Sequence, residues 1–263
     1  MQNLFILYAI VVTVNIFSVF SFFVRLVGVE TKRWSTSNSI FQVINLLPRT
    51  IGAFQIPLIV LFTESAINSN QTVSSIFYQG VIFFDLIGTT IGFILLPFFH
   101  NFLKETIKKV YENNSFKILV RKKTFGVIIC NFFSMRSKAF FERKLQVKVI
   151  NKKLFTYNLI ATFLLCSAFP ACVLAGYMIT EYRATIISLV SIIYGAAAVI
   201  SVLLIDTKLS VITDKTFHNQ ISLAEYKMVL FDCMKGKIAG TVIGIIALPV
   251  LSSGIVFLVN KFI

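Results

Sequence analysis

The sequence predicts an all-α, multi-pass membrane protein with six transmembrane helices, and three observations carry that prediction. Hydrophobic residues make up 57% of the 263-residue chain and charged residues only 14%, a balance unlike that of soluble domains. Apolar runs of about 20 residues recur, the length needed to cross roughly 30 Å of hydrocarbon. The net charge of +14 resides mainly in the segments between those runs. It alternates from side to side as the positive-inside rule requires, which argues against a nucleic-acid partner. The whole chain, 1–263, reads as a single membrane domain.

The spans are expected at about 3–24, 37–62, 74–99, 155–179, 184–205 and 238–259. The first, opening MQNLFILYAI, has no basic n-region and no small-residue cleavage site, so it is expected to stay as a span. The short TEYR turn makes the fourth and fifth an antiparallel hairpin. Lys and Arg number fourteen in segment 101–153, five in 206–237 and three between Arg25 and Arg33. The opposite side has only Arg183 and Lys261. This places the three rich segments in the cytoplasm and both termini outside. Within 101–153, Phe102, Ile107, Val110 and Tyr111 share one helical stripe with lysines opposite. The segment reads as basic interfacial helices between spans three and four, lying on anionic lipid; a solvated basic loop is the alternative. At an offset of 152, IGFILLP (91–97) matches IGIIALP (243–249). That offset lays the first three spans on the last three, as in a 3+3 inverted repeat.

Polar residues inside the spans point to function. Arg49 falls near the middle of span two, where an arginine costs about 2.5–3.5 kcal/mol on insertion scales. Asn38, Gln42, Asn45, Arg49 and Gly52 are spaced by 4, 3, 4 and 3 residues, which puts them on one helix face. That face is expected to line the bundle interior or a wet cavity. Pro48 and Pro57 are expected to bend the helix or free a carbonyl. In span one, Asn15, Ser18 and Arg25 share a face with Ser21 at its edge. Asp85 in span three either neutralises Arg49 in an ion pair or organises a cation-lined path as a coupling group, with Thr89 and Gly92 on the same side. Arg25, Lys32 and Arg33 form a cationic mouth, which Glu30 could hold in place. A guanidinium fork suits phosphate or carboxylate, because it bonds two oxygens at once.

Other features have plainer readings. Gly236-x3-Gly240-x3-Gly244 permits close helix approach, and Ser188, Ser191, Gly195, Ala198 and Ser201 form a narrow face on span five. Asp206, Ser210, Thr213 and Asp214 either cap a short helix or make gating contacts. Asp206 with Asp214 is a thin candidate for a magnesium pair. Cys130, Cys166, Cys172 and Cys233 lack metal-site spacing and read as packing residues. His100 and His218 form no metal-type pair, and no nucleophile elbow, P-loop or dinucleotide fingerprint opens a helix. No cofactor and no catalytic residue are expected.

Several stretches carry a resemblance: VRLVGVETKR (24–33), NLLPRTIGAFQIPL (45–58), TEYRATIISLVSIIYGAAAVISVLLIDTKLSVITD (180–214) and GTVIGIIALP (240–249). In this order they resemble the Amj-type lipid II flippases. Tyr194 and Thr207 depart from that family's pattern, which has Asn and Pro there. The resemblance implies transfer of the undecaprenyl-pyrophosphate-linked peptidoglycan precursor from the inner to the outer leaflet of the bacterial cytoplasmic membrane. It singles out Arg25, Gly28, Arg33, Arg49, Gln55, Pro57, Arg183, Asp206 and Asp214. Arg25 and Arg49 would hold the pyrophosphate and Arg33 recruit it, while Gln42, Asn45 and Gln55 would shelter the rest of the headgroup. Asp85, Glu30, Arg183, Asp206 and Asp214 would serve coupling or gating. Competing readings are a secondary transporter of a small anion, an enzyme acting on polyprenyl phosphates, and a non-transporting assembly factor. The oligomeric state is left open by the sequence.

Overall fold

In the computed structural model, residues 2–69, 72–113 and 151–262 are described. Helix α1 runs over Gln2–Glu30 and α2 over Trp34–Gly52. Helix α3 covers Gln55–Asn68, α4 Ser75–Ile94 and α5 Leu96–Asn113. After the gap come α6 (Lys152–Met178), a 3-10 turn at Thr180–Tyr182 and α7 (Arg183–Val199). A π-helical turn over Ile200–Asp206 leads into α8 (Thr207–Phe217), and α9 spans Leu223–Phe262. Six helical stretches are long and apolar enough to cross a membrane: Leu4–Glu30, Trp34–Asn68, Ser75–Ile94, Lys152–Met178, Thr180–Phe217 and Leu223–Lys261. The expected six spans are therefore present, and no strand occurs among the described residues.

The span boundaries differ from the sequence reading for physical reasons. Span two is broken at Ala53–Phe54 into α2 and α3. Pro57 explains the break, because its ring crowds the carbonyl four residues back while its missing N–H costs nothing in the first turn of α3. Pro97 does the same between α4 and α5, ending the third span at Ile94. Pro48 lies inside α2 without interrupting it. Helix α9, with 40 residues, is about 60 Å long, so it begins well before the expected start at 238.

Two helix pairs meet through glycines that face a neighbour's backbone. Helix α4 packs on α1 through Gly88 and Gly92: a Cβ on Gly88 would lie 2.6 Å from the Val12 carbonyl and 2.9 Å from Asn15 Cβ. Helix α9 packs on α6 through Gly236, Gly240 and Gly244, which lie against Phe155, Leu159 and Cys166. The glycine ladder of span six is thus a packing device. At the centre α4 meets α9, where Gln79 donates to the Ile245 carbonyl at 3.0 Å. Helix α7 folds back on α6 as the expected hairpin. Its small face is not packed: Ser188, Ser191, Gly195 and Ala198 are exposed.

Helix α5 is amphipathic, but its buried side packs into the core with α1 and α2. Leu103, Ile107 and Val110 are buried, while Lys104 and Lys108 are exposed. Tyr111, expected in the apolar stripe, is 55% exposed. Residues 114–150, including Cys130, lie outside the described residues. Cys166 is half-buried, Cys172 and Cys233 are buried, and all three are free thiols.

Two buried hydroxyl pairs tie neighbouring helices. Thr63 in α3 meets Tyr78 in α4 at 2.7 Å, and Thr213 in α8 meets Tyr226 in α9 at 2.7 Å. Replacing Thr213 with Val is expected to cost about 1–3 kcal/mol, because the buried Tyr226 hydroxyl loses its partner. Thermal unfolding in detergent should show the loss, and an unchanged Tm would remove any stabilising role for the pair.

Candidate functional site

Polar residues gather along α1, which touches both halves of the chain. The first assembly centres on Arg25. Its side chain is buried, packed between α1, α2 and the π turn, with Cζ 4.5 Å from the centre of the Phe41 ring. Nη2 donates to Asp206 Oδ1 at 2.9 Å. Nη1 is buried and has no hydrogen-bond partner among the described residues, which is costly for a charged donor. Asp206 keeps 45% of its side-chain surface exposed, so the pair opens to the surroundings on the carboxylate's side. The sequence anticipated neither Asp206 as the partner, 181 residues away, nor Phe41 beneath the guanidinium.

Glu30 takes a different role from the one expected. It bonds His100 Nε2 at 2.6 Å and Lys227 Nζ at 3.1 Å rather than holding Arg25, Lys32 and Arg33. Five residues along an α-helix turn the side chain by about 140°, which directs Glu30 toward α5 and α9 and away from the face of Arg25. Lys32 adopts φ 53° and is exposed in the turn joining α1 to α2. Arg33 lies over the Tyr111 ring, 4.3 Å from its centre, a cation–π contact that brings α5 under the mouth.

A second assembly sits midway along α1 and α4. Asn15 Nδ2 donates to Asp85 Oδ1 and also to the Val11 carbonyl at 3.1 Å. Thr89 donates to Asn15 Oδ1 at 3.5 Å. One turn further along α1, Lys237 from α9 donates to Ser18 Oγ at 2.8 Å. Lys237 is buried, 8% exposed, and close enough to Asp85 to interact electrostatically. Asp85 is therefore engaged by Asn15, with Lys237 as a cation in reach. The sequence reading missed Lys237 because it assigned that residue to a loop; its +4 spacing to Thr241, and Gly236 just before it, were signals that the helix had already begun.

The stripe of α2 is real as a stripe but does not face the packed interior. Asn38 and Gln42 are exposed and Asn45 is half-buried. The helix instead buries Ser37, Ile40 and Phe41 against α1, with Ser37 Oγ bonded to the Val24 carbonyl at 2.7 Å. Gly28 allows that approach, since a Cβ there would collide with the Ser37 side chain. Gln55 opens α3 and is half-buried. The side chain of Arg49 lies outside the described residues.

At the far end of the bundle, Arg183 Nη2 pairs with Glu64 Oε1 in α3 at 3.3 Å. Asp214 is exposed near the end of α8, where its carbonyl is bonded by His218. It stands eight residues beyond Asp206, about 12 Å along a helix, too far for the two carboxylates to share an ion. No group of three or more His, Cys, Asp or Glu suited to a metal occurs among the described residues.

This architecture coincides with a known family: the model of Amj, Alternate to MurJ, matches residues 10–259. The chain belongs to the Amj family. The match takes in both polar assemblies and all or most of each of the six candidate spans. The chain is also similar to the lipid II flippase Amj of Bacillus subtilis (strain 168), with 21% identity over 248 residues, covering 89% of this chain and 92% of that relative. That relative carries the name of a transporter, and this Amj-family chain is likewise a multi-pass membrane protein read as a transporter rather than an enzyme. No solved structure matches.

Proposed function

We propose that this Amj-family chain is a lipid II flippase of the bacterial cytoplasmic membrane. It moves the undecaprenyl-pyrophosphate-linked peptidoglycan precursor from the inner to the outer leaflet, with both termini outside. The observation that carries this reading is Arg25: a buried guanidinium with one nitrogen unpartnered and the other on a half-exposed carboxylate. A diphosphate offers the acceptor that Nη1 lacks and competes with Asp206 for Nη2. Arg33 at the mouth attracts the headgroup, and the face of α2 with exposed Asn38 and Gln42 and half-buried Asn45 gives sugars and peptide a polar flank while the prenyl chain stays in lipid. Asp206 and Arg183, each bound to a group from the first half, serve as gates between the halves.

The chain is built, in this reading, as an inverted repeat. The offset of 152 that aligns 91–97 with 243–249 also aligns Gly88 with Gly240, Gly92 with Gly244 and Asp85 with Lys237. Each glycine pair packs on the first span of its own half. The pairs Thr63–Tyr78 and Thr213–Tyr226 likewise tie the second span of each half to the third. Such halves rock against each other around a central site.

The test is whether the chain supports wall synthesis in cells stripped of every other lipid II flippase, with precursor accessibility measured at the outer leaflet. Arg49→Ala is expected to abolish that support while the protein still inserts in normal amounts. Normal growth on that variant would count against Arg49 as a headgroup ligand.

A further inference from the structure

We propose that Asp85, oriented by Asn15 and faced by Lys237, is a proton-binding site that couples the movement of an anionic headgroup to the uptake of a proton. The inference rests on the flippase reading for its substrate and on separate observations for the site. Asp85 is the eleventh of the 20 residues of α4, so it lies about 15 Å from either end of that helix, at the middle of a span. Lys237 reaches the same level from α9, in the other half of the chain.

The two charges are joined through α1, not directly. Asp85 accepts from Asn15, and Lys237 donates to Ser18 one turn away. The Asn15 amide is fully committed: its nitrogen serves Val11 and Asp85, and its oxygen accepts from Thr89. It therefore fixes the Asp85 carboxyl in place. Lys237 spends one of its three N–H donors on Ser18, leaving two for an anion. Among the described residues, the other titratable side chains that interact with Asp85 are Cys166 from α6 and Tyr194 from α7. Asp85 is half-buried and Lys237 buried, so neither charge is freely hydrated.

Charge balance supplies the coupling. With no headgroup present, carboxylate and ammonium neutralise each other in a medium where a lone charge is costly. When a diphosphate takes the Lys237 ammonium as its counterion, the Asp85 carboxylate is left unbalanced. It accepts a proton from water at one carboxyl oxygen, forming an O–H bond. As the anion departs, that bond breaks, the proton returns to water, and the carboxylate again faces the ammonium. By linkage, anion binding and proton binding then favour each other.

Two measurements test this. In the first, farnesyl diphosphate is added to the purified full chain in weakly buffered detergent, and proton uptake is counted per probe bound. About one proton is expected for the wild type and none for Asp85→Asn. Equal uptake by both, or binding without uptake in the wild type, overturns the coupling. The second needs no substrate: in Lys237→Met, which withdraws the counterion as a bound diphosphate would, it follows the infrared carboxyl band of a protonated acid as bath pH is changed between about 5 and 9. The band is expected in Lys237→Met, absent when Asp85→Asn is added and present when Asp85→Glu is added instead, which also serves should the Asn combination fail to fold. Its absence from Lys237→Met at every pH overturns the proton site. Failure of the probe to bind, with the band present, counts against the substrate reading alone.

Discussion

Arg25→Ala is expected to reduce lipid-precursor transport by roughly 100-fold or more, because two charge-assisted hydrogen bonds to a diphosphate are lost together. The loss of stability should be smaller. Asp206 is nearly half exposed and rehydrates when its partner goes, so what the fold loses is chiefly the packing of the guanidinium on Phe41, worth about 0.5–2 kcal/mol. Arg25→Lys keeps the charge but not the planar fork, and is expected to recover only part of the rate. Transport measured in liposomes, alongside thermal unfolding of the same samples, separates the two effects. A rate within twofold of the wild type for Arg25→Ala would dismiss the guanidinium as a headgroup ligand.

Gly88→Ala is expected to destabilise the protein by about 1–3 kcal/mol, the usual cost of forcing a methyl into a packed contact. The added carbon would press on the Val12 carbonyl and on Asn15 Cβ, so it pushes α4 from α1 and displaces the amide that holds Asp85. Gly240→Ala should act in the same way on α6, through the Leu159 carbonyl and Phe163 N at 3.0 Å. Gly195 and Gly254 supply the control, since a Cβ on either meets nothing within 4 Å. Alanine at those two positions should leave Tm nearly unchanged. If all four variants melted alike, close helix contact would not be what holds the two pairs together.

Legibility in the sequence followed the range of the interaction. Apolar runs, the glycine ladder of α9 and the amphipathic α5 are local patterns, and each was readable because period and composition are set within a few residues. The polar stripe of α2 was also readable as a stripe, but its direction was not. Which face is buried depends on Ser37, Ile40 and Phe41 fitting against α1, and that is a tertiary fact. The partners of Arg25 and Glu30 lie far away in the chain, beyond the reach of spacing arguments. Lys237 was hidden for another reason: hydropathy places the edge of a span where charge appears. Here the helix had begun well before the charge, and the lysine's ammonium was held by Ser18 inside the bundle.

The π turn at Ile200–Asp206 has a consequence for the fifth span. Its Thr207 amide bonds back to the Val202 carbonyl, five residues away, so one residue more is looped out than an α-helix would allow. The phase of the helix slips by about 100° across it. The small, outward-facing edge of α7 therefore cannot run on into α8, where Leu209, Thr213 and Thr216 turn inward. One segment thus presents two different sides to its neighbours, and the slip ends on the carboxylate that grips Arg25.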